Sequence, residues 1–99
     1  MENASLEIVQ GVDWGKVFHD LTFPVTIGRV EGNSIQLNDG CVTRFHLELH
    51  LVDGAVVARD KDSRSGTYVN SRLCSDQVLT DGDEIRVGRT ILKFRSSND

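Results

Sequence analysis

The sequence predicts an all-β fold, because short apolar runs alternate with turn-forming residues and no segment shows the apolar period of a helix. The clearest strand is residues 45–51, in which every second side chain is apolar: Phe45, Leu47, Leu49 and Leu51. We expect these four side chains to share the buried face of a strand. His46 is expected on the opposite, polar face.

Turn dipeptides join the predicted strands into hairpins. Asp53-Gly54 leads from the first strand into residues 56–59, and Gly88-Arg89 joins residues 84–87 to 90–94. Weaker strands are predicted at residues 6–10, 16–21, 25–28, 35–37, 67–70 and 77–79. Many short strands at such close spacing are typical of a β-sandwich or barrel.

Length and charge limit the classes of protein. The chain has 99 residues, which suit one domain, and its net charge of −4 argues against broad binding to nucleic acid or membrane. The first residues lack the basic and apolar regions of a secretory signal, and no apolar run approaches the ~20 residues that span a bilayer. We therefore expect a cytoplasmic protein, with a monomer as the default.

No arrangement of residues predicts a metal, a cofactor or a catalytic centre. His46 and His50 would lie ~13 Å apart along a strand, too far to share one ion. No serine lies in the G-x-S-x-G turn of a hydrolase, and Cys41 and Cys74 are expected to be free thiols. Four carboxylates are interpreted as turn and solubility residues: Asp39, Asp53, Asp60 and Asp62. A binding module is favoured over an enzyme.

Three arginines fall outside the strand interiors, each beside a hydroxyl or a glycine. Arg29 follows Gly28, Arg44 follows Thr43, and Arg64 lies within the Ser63–Thr67 segment. Arginine forks and hydroxyl donors on neighbouring loops are the ingredients of a phosphate site. Solvated loop arginines are the other interpretation, and composition and spacing alone leave both open.

Five short motifs occur in order along the chain: Gly28-Arg29, 33–37 (N-S-I-Q-L), 42–47 (V-T-R-F-H-L), 60–70 (D-K-D-S-R-S-G-T-Y-V-N) and 79–88 (L-T-D-G-D-E-I-R-V-G). Together they resemble the forkhead-associated (FHA) family, whose pattern reads G-R, N-x-I-x-L, V-S-R-x-H, S-x-N-G-T-x-V-N and L-x-x-G-D-x-I-x-V-G. One motif alone is weak, but five in this order are specific. The resemblance covers about residues 6–95, so a single FHA-like domain over 1–99 is expected.

The resemblance implies a β-sandwich of two twisted, mainly antiparallel sheets with binding loops at one end. It also implies a protein that binds phosphothreonine-containing peptides in Ser/Thr kinase signalling. By the family's pattern, Arg29 would hold the phosphate, and Thr43 would donate its hydroxyl where the family usually has Ser. Arg44 would flank the phosphate, and Arg64 would reach it from the variable position of S-x-N-G-T.

Two further residues are expected to contact the peptide. Ser65 stands where the family has an asparagine that clamps the peptide backbone, and Cys41 would flank the ligand. Because a hydroxyl offers one donor where an amide offers donors and an acceptor, Ser65 should weaken this grip. The resemblance assigns four residues to structural support of the loops: Gly28, His46, Gly66 and Asn70.

A phosphate-independent interaction module or scaffold is the alternative to a phosphothreonine reader. Ser65 in place of asparagine favours this alternative. The retained Arg29, Thr43 and Arg44 favour phosphate recognition, because charge-assisted bonds to a phosphate group contribute about 1.5–3 kcal/mol each. The sequence therefore favours the phosphothreonine reader.

Overall fold

The computed structural model describes residues 2–98, in which it shows eleven β-strands and no helix, hence none that could cross a membrane. The strands are β1 (Glu2–Gln10), β2 (Val17–Phe18), β3 (Val25–Gly28), β4 (Ile35–Gln36), β5 (Leu47–Val52), β6 (Ala55–Asp60), β7 (Thr67–Val69), β8 (Arg72–Cys74), β9 (Asp76–Leu79), β10 (Glu84–Val87) and β11 (Thr90–Asn98). The predicted all-β fold class is confirmed.

The strands form two sheets. One has the order β2-β1-β11-β10-β7-β8, and the other has the order β4-β3-β5-β6-β9. Every pairing is antiparallel except that of β3 with β4, which is parallel. This arrangement confirms the predicted sandwich of two mainly antiparallel sheets.

The core lies between the two sheets and is built from alternate residues of the central strands. The first sheet contributes Leu6, Ile8, Leu92 and Phe94, and the second contributes Ile27, Leu47, Leu49 and Ala58. All eight side chains are at most 1 % exposed. Because full burial of a large apolar side chain contributes about 1.5–3 kcal/mol, this double layer holds the loops at the ends of the strands in place.

The alternation at residues 45–51 holds only in the middle of the segment. Leu47 and Leu49 are buried as predicted, but Phe45 is 52 % exposed and Leu51 is 53 % exposed. The strand begins at Leu47, and His46, predicted on the polar face, is fully buried. Local hydrogen bonds determine this outcome: the His46 N–H donates to the carbonyl of Ile27 (2.9 Å), and its ring bonds two loops.

Other strand predictions differ mainly at their ends. β1 begins at Glu2 rather than Leu6, because it pairs with β11 along its whole length. β8 was not predicted, since its three residues are mostly exposed and show no alternation. The Asp53-Gly54 turn is confirmed, with positive φ angles of 50° and 80°.

The turn between β7 and β8 contains a strained serine. Asn70 and Ser71 both have positive φ, 50° and 70°. Asparagine tolerates this conformation, whereas serine at the second position carries the steric cost that glycine avoids. The turn is tied to β10, because the Asn70 side chain accepts from the Glu84 N–H (3.0 Å) and donates to Asp83 (2.9 Å).

We predict that Ser71→Gly raises the free energy of unfolding by about 0.5–1 kcal/mol. Relief of the left-handed conformation, which costs an L-residue roughly 1–2 kcal/mol, exceeds the added freedom of glycine in the unfolded chain. Urea denaturation measures the change. Ser75→Gly is the control, because Ser75 has no positive φ and the substitution there should destabilise. Equal effects of the two substitutions would contradict the strain at Ser71.

Candidate functional site

Three loops meet where β3 and β6 end and where β5 and β7 begin: residues 29–34, 37–46 and 61–66. The Arg29 N–H donates to the carbonyl of Thr43 (3.2 Å), and the Arg64 N–H donates to Thr43 Oγ1 (2.9 Å). The loops surround a pocket of about 400 Å³ lined by Arg29, Gly40, Cys41, Val42, Thr43, Arg44 and Arg64. The structure thus brings together the four phosphate-binding candidates of the sequence.

Arg29 is oriented by a single side-chain bond. Its Nε–H donates to the carbonyl of Val42 (3.1 Å), which leaves the four N–H donors of the two terminal nitrogens available. Neither Arg29 nor Arg44 nor Arg64 forms an ion pair with any residue in the range 2–98 for which side chains are described. Three uncompensated positive charges around one pocket favour an anionic ligand.

Thr43 presents a hydroxyl whose hydrogen is free. Thr43 Oγ1 accepts the N–H of Arg64, which uses one of its two lone pairs within the protein. Its own O–H is not engaged with another described residue, and a hydroxyl rotates to meet an acceptor. The bond therefore leaves Thr43 as a donor towards the pocket.

Gly28 allows the loop that carries Arg44 to lie against the end of β3. A Cβ atom at Gly28 would stand 2.1 Å from the carbonyl oxygen of Arg44 and 2.8 Å from Asn33 Nδ2. The same Asn33 nitrogen donates to the carbonyls of Arg44 (2.9 Å) and Val30 (2.8 Å). Because backbone cannot move aside as a flexible side chain can, only glycine fits this junction.

His46 connects two loops of the pocket through its ring. Nδ1 accepts the N–H of Thr43 (3.0 Å), which requires Nε2 to carry the hydrogen that it donates to the carbonyl of Gly66 (2.9 Å). Burial lowers the pKa of His46 below 6.5, although the Gly66 bond and the charges of Asp60 and Asp39 oppose this shift. His46 therefore supports the loops as a neutral ring.

Two of the carboxylates that the sequence led us to interpret as turn and solubility residues, Asp39 and Asp60, do lie at turns, but the solubility part of that interpretation was wrong, because both bond groups of the pocket loops. Asp39 is 4 % exposed and accepts from the N–H groups of Cys41 and Arg89 and from the Thr90 hydroxyl, each at 2.8 Å. Burial raises the pKa of Asp39, but these bonds outweigh it and hold the pKa below 3.8. Asp39 therefore fixes the loop that carries Cys41 and Thr43.

Asp60, the second such carboxylate, supports the loop that carries Arg64. It accepts from the N–H (3.0 Å) and hydroxyl of Ser63 and from the Thr67 hydroxyl (2.7 Å). Burial raises the pKa of Asp60, but these bonds again hold it below 3.8. The spacing D-x-x-S in residues 60–63 is the sequence signal of this turn, since an Asp side chain readily accepts from nearby backbone N–H groups.

The two candidate peptide contacts lie at the rim of the pocket. Ser65 Oγ donates to the carbonyl of Cys41 (3.0 Å), so its one donor is used between loops while its lone pairs remain accessible. Cys41 is an exposed free thiol, and Cys74 is a free, half-buried one. Gly66, beside Ser65, has a φ of +86°, which permits the turn that presents its carbonyl to His46.

Asn70, also predicted to support the loops, lies away from the pocket. It follows Val69 at the other end of β7 and holds the turn to β8 against β10.

Among the residues that the structure describes, no group of three or more His, Cys, Asp or Glu side chains could hold a metal ion.

The fold is a β-sandwich whose end loops carry unpaired arginines and a hydroxyl that can donate. This combination is typical of a class of binding domain suited to an anionic group. The family model described as "FHA domain" matches residues 25–88, more than half of the chain. The chain therefore belongs to the FHA domain family, and the predicted resemblance is confirmed.

Curated relatives agree with this membership. The glycogen accumulation regulator GarA of Mycolicibacterium smegmatis is 37% identical over 93 residues, which cover 93% of this chain and 58% of GarA. The oxoglutarate dehydrogenase inhibitor of Corynebacterium diphtheriae is 39% identical over 69 residues, 70% of this chain and 48% of that protein. The chain spans about half the length of the curated relatives it matches.

Solved structures share the fold. The FHA domain of an Arabidopsis thaliana hypothetical protein superposes with a TM-score of 0.92 at 26% identity, covering 100% of this chain and 89% of that one. A structure from an analysis of phosphothreonine-dependent FHA domain interactions gives 0.88 at 27% identity, with 98% and 99% covered. EmbR of Mycobacterium tuberculosis in complex with a low affinity phosphopeptide gives 0.84 at 27% identity, with 98% and 25% covered.

The lowered pKa of His46 leads to a prediction about acid stability. In the unfolded chain His46 binds a proton below about pH 6.5, whereas the buried ring in the folded protein has a lower pKa. The contribution of the neutral ring to the free energy of unfolding is therefore complete above about pH 6.5 and is lost as the pH falls. One such group changes the free energy of unfolding by at most about 1.4 kcal/mol per pH unit. NMR titration of the His46 ring and urea denaturation from pH 7 to about 5 measure both effects. A His46 pKa at or above 6.5 would contradict the prediction, and His46→Asn should flatten the pH dependence.

Proposed function

We propose that this chain is a phosphothreonine-peptide binding module that mediates phosphorylation-dependent protein–protein interaction in Ser/Thr kinase signalling. The observation that carries the proposal is the cluster of Arg29, Arg44 and Arg64, unpaired within the described structure, around the free hydroxyl hydrogen of Thr43. Arginines with no carboxylate partner leave the pocket ready for an anion without breaking an existing ion pair.

The chemistry of phosphothreonine fits these donors. Its phosphate carries about −1.5 to −2 charge and three acceptor oxygens, which guanidinium and hydroxyl donors can meet together. Each charge-assisted bond contributes about 1.5–3 kcal/mol, so Arg29 and Thr43 alone could dominate the affinity for a short peptide. Similar folds that were solved with a phosphopeptide, or studied for phosphothreonine-dependent interactions, support the same ligand class for this chain.

The pocket supports binding rather than catalysis. His46, which lies in a loop of the pocket, uses both ring nitrogens to hold backbone groups, so neither is free to act as a base. The proposed interaction needs no metal and no cofactor. We further propose that the module acts in the cytoplasm as a monomer, with a phosphorylated protein rather than nucleic acid or membrane as its partner.

One observation favours the alternative, a phosphate-independent interaction or structural scaffold. Ser65 spends its hydroxyl hydrogen on the carbonyl of Cys41, so it can accept from a peptide N–H but has no donor for a peptide carbonyl. The grip on the peptide backbone would therefore be weaker than an asparagine provides. Phosphate binding does not depend on this contact.

Phosphopeptide titration with an arginine variant tests the proposal. We expect a degenerate phosphothreonine peptide pool to bind and its unphosphorylated twin not to bind. Arg29→Ala should weaken binding at least about tenfold, because it removes a charge-assisted bond of roughly 1.5 kcal/mol or more. Calorimetry or fluorescence anisotropy measures the affinity.

Arg95→Ala is the matched control, since it removes the same charge from an exposed site on β11. It should retain the phosphopeptide affinity. Equal binding of the phosphorylated and unphosphorylated pools, or equal loss in the two arginine variants, would support the scaffold alternative instead.

Restoring the amide at position 65 should strengthen the grip on the peptide. We predict that Ser65→Asn increases phosphopeptide affinity by about three- to tenfold, because the amide adds a donor for a peptide carbonyl while retaining an acceptor. Ser65→Ala, which removes the bond to Cys41, separates loop support from peptide contact. An unchanged affinity in Ser65→Asn would mean that this position does not face the peptide.

A further inference from the structure

The loop between β1 and β2 exposes two large apolar side chains that the proposed phosphate site does not use. Trp14, the single tryptophan of the chain, is 72% exposed, and Val12 is 76% exposed. Tryptophan is highly buried in most folded proteins, and it is enriched among the residues that contribute most to protein–protein binding. We refer to Val12 and Trp14 as the Trp14 surface.

Backbone bonds hold the Trp14 surface in a fixed turn. The Trp14 N–H donates to the carbonyl of Gly11 (3.1 Å), and the Gly15 N–H donates to the carbonyl of Ile8 (2.9 Å). A rigid loop loses little conformational entropy when a partner covers it. Most of the free energy of an apolar contact there would therefore contribute to binding affinity.

The buried carboxylate of Asp13 fixes this turn to a loop of the candidate site. Asp13 is 4% exposed and accepts from both the backbone N–H (2.7 Å) and the side-chain amide (2.9 Å) of Asn38. Lys16 adds a third bond to the same carboxylate (3.1 Å). The loop that carries the Trp14 surface is therefore bonded directly to the loop 37–46 of the candidate site.

The chain limits how far apart the two features can lie. Cys41, which lines the pocket, follows Asn38 by three residues, a span of at most about 11 Å. With the contact between Asp13 and Asn38 included, the Cα atom of Trp14 lies at most about 23 Å from the Cα atom of Cys41. About seven extended residues cover this upper limit.

Positive charge flanks the Trp14 surface. The side chain of Lys16 is 53% exposed and pairs with Asp13 (3.1 Å). Arg89 is exposed beside the same turn, since its carbonyl oxygen would lie 3.2 Å from a Cβ atom at Gly11. The carboxylates of the same loops, Asp13 and Asp39, are buried and hydrogen-bonded. With the charge of Lys16 met by Asp13, Arg89 is the basic group at the edge of this apolar surface, which suits an apolar segment with an acidic neighbour.

We propose that the Trp14 surface is a second contact for the same phosphothreonine-bearing protein, and that it covers an apolar side chain within about seven residues of the phosphothreonine. The inference rests on the proposed function, because the phosphate site supplies the anchor that brings this segment near. Recognition then requires a phosphorylated segment longer than the few residues that the pocket itself contacts.

Two phosphothreonine peptide pools test the inference, one with about three degenerate residues on each side of the phosphothreonine and one with about nine. The proteins are the wild type, Trp14→Ser, and the control Val78→Ser, which replaces an apolar residue of β9 that is 51% exposed. The wild type and the control should select apolar residues about four to seven positions from the phosphothreonine in the long pool. They should bind the best long peptide at least about tenfold more tightly than its short core.

Trp14→Ser should lose this gain and keep the affinity for the short core. Because Trp14 is the only tryptophan, its emission should shift to shorter wavelength with the long peptide and stay unchanged with the short one. Equal binding of the long peptide by the wild type and Trp14→Ser would overturn the inference while leaving the proposed function intact. If neither pool binds the folded wild type, both fail.

Discussion

The loops of the pocket depend on one neutral, buried imidazole. His46 accepts a backbone N–H from Thr43 of its own loop with one nitrogen and donates with the other to the carbonyl of Gly66, which lies 20 residues further along the chain in a second loop. Both bonds need the same tautomer, and protonation would place a hydrogen on Nδ1 against the N–H of Thr43. Burial, which disfavours the charged ring, therefore preserves the shape of the site.

Gly28 fixes the loop of residues 29–34, the one that the His46 bridge does not reach. Its missing Cβ lets the Arg44 carbonyl approach the end of β3, and Asn33 ties that carbonyl to Val30. Together with the His46 bridge, this fixes the backbone that carries Thr43 and Arg44 before any ligand is present. A preorganised pocket loses less conformational entropy on binding than one that must assemble around its ligand.

The sequence predicted strands and turns well where a residue pattern repeats. It predicted side-chain positions poorly where a single hydrogen bond determines them. Strand β3 was predicted at its observed bounds, and the Asp53-Gly54 hairpin followed from turn chemistry alone. The alternating pattern wrongly predicted His46 on the polar face. A periodicity argument assumes that every polar side chain faces water, whereas the ring of His46 is buried and hydrogen-bonded to two backbone groups. The motif order located the arginines, but the directions of the Thr43 and Ser65 hydroxyls depend on which loop faces them, which only the folded chain defines.

The hydrogen-bonded carboxylates of the pocket loops explain how an acidic protein keeps a basic pocket. Asp39 and Asp60 lie close to the arginine-bearing loops, yet they bond backbone N–H and hydroxyl donors and form no ion pair with Arg29, Arg44 or Arg64 within the described residues. Had either carboxylate paired with an arginine, a phosphate would have to break that pair in order to bind. The net charge of −4 counts residues over the whole chain, and charges more than about 10 Å away are largely screened at physiological salt. The local charge around the pocket is therefore determined by Arg29, Arg44 and Arg64, which form no ion pair within the described residues.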